Sequence, residues 1–285
     1  MQRALPAAAI ALFHVPPLTL FWTGTTGADW VAFSAFYLVT IFALGGALHR
    51  YFAHRAFRTS RWMQMVLGVL ASSVFGDPIG FSGKHRLHHR HSDTDQDVHS
   101  PRQGWWFCWI GSLIDEGYTE SEITAQVPDL LRFPELRWLH HYYFVPPLMV
   151  GALFYAAGGY TMFATAYCMN LLVAVHCPSA VNYFCHRGRH RRYETDDSSS
   201  NSLLLGILLL GEGWHNNHHY YPAAARSGFG AREPDAIYWV LSGMEYLGLI
   251  RDLKPVPERV LREGGLIPCG CGSPDAVLTG AGGAE

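Results

Sequence analysis

The run Gly211-Glu212-Gly213-Trp214-His215-Asn216-Asn217-His218-His219 packs three imidazoles into five residues of a largely apolar chain. On a helix these fall at i, i+3 and i+4, one patch on one face. Buried neutral rings would each need a hydrogen-bond partner, and charged ones would repel. A metal ion removes both difficulties.

Two earlier stretches repeat the signal. His85-Arg86-Leu87-His88-His89 has the same spacing, and His49-Arg50-Tyr51-Phe52-Ala53-His54 adds a pair at i, i+5. Five residues turn an α-helix by about 140° past a full turn, so His49 and His54 cannot project alike unless they sit at a helix end or between helices. Eight imidazoles exceed one tetrahedral zinc site and suit two adjacent metals.

Composition narrows the class. The 285 residues are 49% hydrophobic and 15% charged, which favours a membrane protein over a soluble one. A formal net charge of -2 argues against nucleic acid as partner. The six cysteines have no disulfide-framework spacing and read as buried apolar groups of a reducing compartment.

The expected fold is an all-α integral membrane protein in a single domain, residues 1–262. Four apolar segments, about 4–22, 31–48, 142–158 and 161–181, are read as transmembrane helices. Residues 49–140 and 182–262 form a helical cap, and 263–285 a disordered tail. Trp62 to Phe81 is read as one helix lying at the interface or tucked under the site, because a crossing there would part the first two histidine clusters. Leu203 to Leu210 is read as the first turns of the helix presenting His215, and Trp239 to Leu249 as the last helix. Of the 21 Lys and Arg residues, none lies in the short loops 23–30 or 159–160, which by the positive-inside pattern puts both termini and every histidine cluster in the cytoplasm.

Around the clusters stand residues suited to support them. Asp93 and Asp97 follow the second cluster in a polar loop and are placed to take the outer N–H of ligating imidazoles. Asn182 and His186 stand four apart beyond the fourth apolar segment, an amide and an imidazole on one helical face. Glu212 makes an ExxH pattern with His215; no second ExxH exists, which disfavours a carboxylate-bridged ferritin-like bundle and leaves Glu212 to support an imidazole. Arg187, Arg189, Arg191 and Arg192 are a topology determinant or a contact for carrier phosphates or anionic headgroups. Phe33, Tyr37, Ile41 and Gly45 form a stripe below His49, reaching about 24 Å down an ideal helix at Phe33, a length comparable with a long acyl chain.

The three boxes, with Asn182 and His186 before the last, resemble the membrane fatty acyl desaturases, in particular the acyl-CoA delta-9 group and its bacterial branch. The likeness includes Asp97-Val-His-Ser-Pro-Arg102, Arg191-Arg-Tyr-Glu-Thr195 and Tyr221-Pro222, and covers roughly residues 30 to 250. It implies that His49, His54, His85, His88, His89, His186, His215, His218 and His219 ligate two irons, with Asn182 reaching a metal through water. It implies four membrane helices under a cytosolic cap, in a bacterial inner membrane, and an acyl chain in a bent tunnel whose floor lies against the second helix. The chain departs from the family at Gly80-Phe81-Ser82-Gly83-Lys84, at Cys108 where a histidine is expected, and at Gly230-Ala231-Arg232-Glu233-Pro234.

The reaction then expected is oxygen-dependent desaturation of a saturated acyl chain, an acyl-CoA at the delta-9 position, to a cis alkene and water. Removing hydrogen from an unactivated methylene calls for a redox metal, O2 and two external electrons. No haem-binding or flavin-binding motif is present, so a ferredoxin-type or cytochrome b5-type protein is the expected donor. The alternatives are an alkyl or lipid hydroxylase on the same scaffold and a non-enzymatic metal-binding membrane protein. The second of these would need metal-binding groups near the bilayer centre rather than at helix ends.

Overall fold

A computed structural model describes residues 7–111 and 117–268. It is all-helical apart from a two-stranded antiparallel pair, β1 (Arg58–Thr59) and β2 (Ile250–Arg251).

Among the described residues, two helices are long and apolar enough to cross a membrane, α2 (Gly27–Ala53) and the run Val145–Phe184. Ahead of them, α1 (Ala7–Thr23) has 17 residues and carries Pro16 and Pro17. Thr26 starts α2 by accepting from the Asp29 amide at 3.2 Å while the Asp29 carboxylate accepts from the Thr26 amide at 2.8 Å. The helix was expected to stop at His49; instead it widens into a π-helix over Phe42–Ala53 and carries His49 inside its last turns. Val145–Phe184 is not straight. Gly158 and Gly159 leave helical geometry, Gly159 with φ 71°, so the chain reverses where the sequence breaks its apolar run.

Polar and aromatic contacts lock these segments together. Asn170 donates to the Phe33 carbonyl at 3.1 Å, and the Tyr167 hydroxyl to the carbonyls of Pro147 and Ser73 at 2.5 and 3.2 Å. His14 of α1, a polar interruption in an apolar stretch, meets His176 ring to ring, Nε2 to Nε2 at 3.2 Å, and Trp109 donates to the other nitrogen of His176. Outside this seam, large side chains remain uncovered, among them Phe21, Trp22, Val31 and Leu153. Such a belt, too large for a soluble surface, marks a membrane-associated protein.

The single helix expected over Trp62–Phe81 is corrected to two, α3 (Arg61–Ser72) and α4 (Pro78–His91). Asp77 ends the loop between them and caps α4, accepting from the Ile79 amide at 3.1 Å, with Pro78 in the first turn where no amide hydrogen is needed. At 12 and 14 residues neither helix is long enough to span a bilayer. Three short helices follow, α5 (Glu120–Ala125), α6 (Pro128–Leu131) and α7 (Pro134–His141). The principal core lies between α2, α3, α4 and α7, built on Leu48, Phe52, Leu67, Ile79, Leu136 and Leu139.

The last third contains a second correction. Leu203 to Leu210 does not lead into the helix of His215. A six-residue helix, Leu203–Leu208, ends in a turn in which Leu210 and Gly211 take φ of 53° and 127°, and a separate helix starts at His215. The final long helix runs Ala236–Tyr246, three residues ahead of expectation, because Asp235 caps it. The expected tail, 263–285, is corrected at its start: Glu263 ends a helix and Leu266 packs on the cluster around Tyr193 and Val260, while residues from 269 on lie outside the described residues.

Candidate dimetal centre and its cavity

Four pieces of chain converge. The first is the π-helical end of α2. Its i→i+5 bonding, seen in the His54 amide donating to the His49 carbonyl at 3.1 Å, brings residues five apart onto one side. The rings of His49 and His54 are therefore 4.8 Å apart, which an α-helix would not allow. The second piece is α4, with His85, His88 and His89 along one face. The third is His186, just past the end of the Val145–Phe184 run. The fourth is the helix His215–Tyr220, whose Asn216 and Asn217 amides both donate to the Asn201 side chain.

These nine imidazoles sort into two groups, His49, His54, His85, His89 and His218 in one, His88, His186, His215 and His219 in the other. The groups abut, the rings of His89 and His219 being 4.5 Å apart. Within the first, Nε2 atoms face each other at 2.8 to 3.0 Å. In the second, His186 and His215 do so at 3.0 Å, while the Nε2 atoms of His88 and His219 are buried without a hydrogen-bond partner.

The donors fit metal ions. Adjacent ligands on an ion with bonds of about 2.1 Å stand about 3 Å apart, and imidazole nitrogens at that distance with no acceptor beyond them are otherwise uncompensated. Burial pushes His54, His85, His89, His215 and His218 well below the ordinary histidine range, which keeps them neutral and able to ligate. Burial also lowers His88, but the Asp97 carboxylate more than reverses this.

Carboxylates fix four of the rings from behind. His88 donates from Nδ1 to Asp97 at 3.0 Å, His186 to Asp93 at 3.3 Å, His219 to Asp197 at 2.5 Å, and His49 to Glu212. Each bond sets the tautomer that points an Nε2 lone pair inward. Burial alone would raise the Asp93 carboxyl, but His186 and the Ser198 donors outweigh it and hold it at about 2. Glu212 is likewise held at about 2 by His49 and Arg50. Asp97 and Asp197 are lowered further, by His88 and His219 respectively.

Three of these supports, Asp93, Asp97 and Glu212, were expected from sequence. Asp197 was not, although the run Asp196-Asp197-Ser198-Ser199-Ser200 has the same acid-and-serine character as the loop after His89. Arg50 and Asp235 were also missed. Arg50, 2% exposed, donates to Glu212 Oε1 at 2.8 Å and to Asp235 at 3.0 Å, steadying the carboxylate behind His49.

A cavity of about 340 Å³ opens beside the first group, against His49, His85, His215 and Glu212. Ile41, Leu44, Gly45 and Leu48 wall one side, Ala174, Val175 and Val181 the other. Asn182 also lines it, one turn before His186, and belongs to neither histidine group. Ile41 and Gly45 of the expected stripe are therefore in the wall. Phe33 and Tyr37 are not among the lining residues, and the Tyr37 hydroxyl donates to the Leu208 carbonyl at 2.5 Å, behind Leu209 of the wall. The opposite end is polar: His140 sits between Asp77 at 2.5 Å and Glu120 at 2.7 Å, with Lys84 and Tyr143 nearby.

The four arginines diverge. Arg187 and Arg189 are exposed, Arg187 lying over the Tyr183 ring. Arg191 binds Thr195, and Arg192 is drawn into an ion pair with the buried Glu233. Glu233, part of the departure at 230–234, also accepts from the Asn217 side chain and so braces the third box.

Two long apolar helices and a nine-imidazole, two-group centre at the edge of a mainly apolar cavity agree with what sequence comparison finds. The fatty acid desaturase family model matches residues 6–234. The chain belongs to the membrane fatty acid desaturases. Its relatives include the acyl-CoA C20 Delta5-desaturase of Anemone leveillei, 31% identical over 86% of this chain and 78% of the relative. The Delta-9 acyl-lipid desaturase 2 of Arabidopsis thaliana is 31% identical over 84% and 78%. The sn-1 stearoyl-lipid 9-desaturase of Anabaena variabilis is 31% identical over 86% and 89%. The desaturase is thus an oxidoreductase acting on fatty acyl chains, with two histidine clusters compatible with a diiron site.

Proposed function

We propose that this desaturase introduces a cis double bond at the delta-9 position of a saturated acyl chain carried as the CoA thioester. The observation that carries the reading is the opening of the apolar cavity onto His49, His85 and His215. It is a mainly apolar space within the size range of small-molecule sites. The relatives include acyl-CoA and acyl-lipid desaturases and both 5- and 9-desaturases, so carrier and position are the points to test. The decisive experiment is expression in a desaturase-deficient host, with products read by mass spectrometry. An 18-carbon delta-9 alkene is expected; a product carrying an added oxygen would instead mean hydroxylation.

In this reading all nine imidazoles ligate two irons, and Asn182 reaches one through water. The irons, with O2 and two electrons, supply the hydrogen abstraction that no side chain can perform. The protein holds the chain. Walls from α2 and Val145–Phe184 exclude water and fix each methylene relative to the metals, since a small displacement changes which carbon reacts. Asp93, Asp97, Asp197 and Glu212 accept the Nδ1–H of their imidazoles, which turns each Nε2 inward and fixes the ring's orientation. Ile41 closes the cavity on the tail side, with Tyr37 and Phe33 behind it, and Arg187 and Arg189 are free to meet carrier phosphates.

The reading includes four crossings, α1, α2 and the two limbs of Val145–Phe184, with both termini and the metal centre on the cytoplasmic face of a bacterial inner membrane. The glycine break and the distribution of Lys and Arg support it. Electrons come from a separate ferredoxin-type or cytochrome b5-type protein. His186→Ala is expected to abolish turnover while the protein stays membrane-embedded; undiminished turnover would remove His186 from the ligand set.

A further inference from the structure

The two histidine groups are not supported equally. Behind the group of four stand three carboxylates, Asp93, Asp97 and Asp197, each on its own imidazole; the first two are 1% and 0% exposed and the third 11%. Behind the group of five, among the described residues, only His49 has a carboxylate, Glu212. That carboxylate shares its charge with Arg50, which is also paired with Asp235. Arg86, close to His54, shares Asp129 with the more exposed Arg55. Three negative charges therefore face one metal position, against at most one net negative charge at the other. The fifth imidazole is neutral and does not restore the balance. In a buried site such a difference favours the higher charge on the ion beside it.

We propose that the iron held by His88, His186, His215 and His219 is the lower-potential member of the pair, oxidised first and reduced last. The inference rests on the diiron reading above. The step is one ferrous ion losing one electron to an external one-electron acceptor such as ferricyanide, with no bond made or broken and no proton moved. The carboxylates act as positioning residues, through the imidazoles they hold.

The test is a stepwise oxidation of the detergent-solubilised, 57Fe-loaded protein, with ferrous and ferric iron counted by Mössbauer spectroscopy. The wild type is expected to oxidise in two one-electron steps, with the half-oxidised form predominant between them. Asp197→Asn should raise the potential of the first step and bring the two together. Glu212→Gln should raise the second and move them apart. Coupling between two equivalent irons would also separate the wild-type steps, but it predicts the same shift in both variants. Asp93→Asn repeats the first arm if Asp197→Asn does not fold. A single unresolved wild-type step, or variants moving the gap in the same direction or the reverse ones, overturns the proposal. Metal content distinguishes the two levels: fewer than two irons per fully loaded chain overturns the diiron reading itself, whereas two irons oxidised in the opposite order overturns only the asymmetry.

Discussion

Gly45, one of the glycines that line the cavity, has little room to change. A Cβ there would stand 2.4 Å from Ile237 Cδ1 and 2.9 Å from the Glu212 carboxyl carbon. Gly45→Ala is therefore expected to displace Glu212 from His49 and weaken metal retention by about 10- to 100-fold, the usual cost of losing a carboxylate behind a ligating histidine. Metal analysis after dialysis against a chelator checks this; unchanged retention would mean that Ile237 yields and Glu212 does not. At this scale the sequence was most legible for the histidines, because their helical spacing speaks for itself. Asp197 was hidden because it acts on His219 across 22 residues of irregular chain. No local period can reveal such a pairing.

Among the elements, the π-helical end of α2 best separates what sequence could and could not tell. An i, i+5 pair looks mis-spaced on an α-helix, and only the changed hydrogen-bond register turns it into a matched pair. Likewise, the apolar run 203–210 reads as continuous until Leu210 and Gly211 break it with positive φ, in a turn packed against Asp235 and Arg50 from distant chain. The same helix α2 carries the chain-length prediction. Ile41 is eight residues before His49, about 12 Å of ideal helix, and is the wall residue furthest from it on α2. Ile41→Ala should shift preference toward longer saturated chains, by up to about fourfold per methylene newly accommodated, without moving the double bond. Product profiles for a series of acyl lengths decide it, with Tyr37→Ala and Phe33→Ala as comparisons. A shift in those two alone would put the floor deeper than Ile41.

Taken as a whole, the molecule keeps five buried imidazoles far below their ordinary range, and this has a sign in the pH dependence of stability. Above about pH 6.5 neither the folded nor the unfolded chain protonates them. Below it the unfolded chain binds protons that the folded chain refuses, so stability falls as pH falls, by about 1.4 kcal/mol per pH unit for each such imidazole. Metal-free protein should show a steep drop in thermal midpoint between pH 7.5 and 5.5, while metal-loaded protein should resist it. A flat profile for the metal-free form would show that the clusters protonate without unfolding. The all-helical membrane class was legible in composition and apolar length, and the two-metal centre in the boxes. The split of α3 from α4 falls at Asp77 and Pro78, where the Asp77 carboxylate both caps α4 and meets His140 from distant chain.

The division of histidines between the two groups also sets an order of assembly. Four of the five in the larger group, His49, His54, His85 and His89, are present once the first 89 residues are made, while the smaller group has only His88 at that stage. Each nonetheless waits for the helix His215–Tyr220, which brings His218 to one and His215 and His219 to the other. During biosynthesis, therefore, neither metal site can close before that late helix docks, and its docking closes both at once. Completion of both clusters is thus one late event of folding, and a nascent chain stalled before residue 215 would carry four imidazoles of the larger group and two of the smaller.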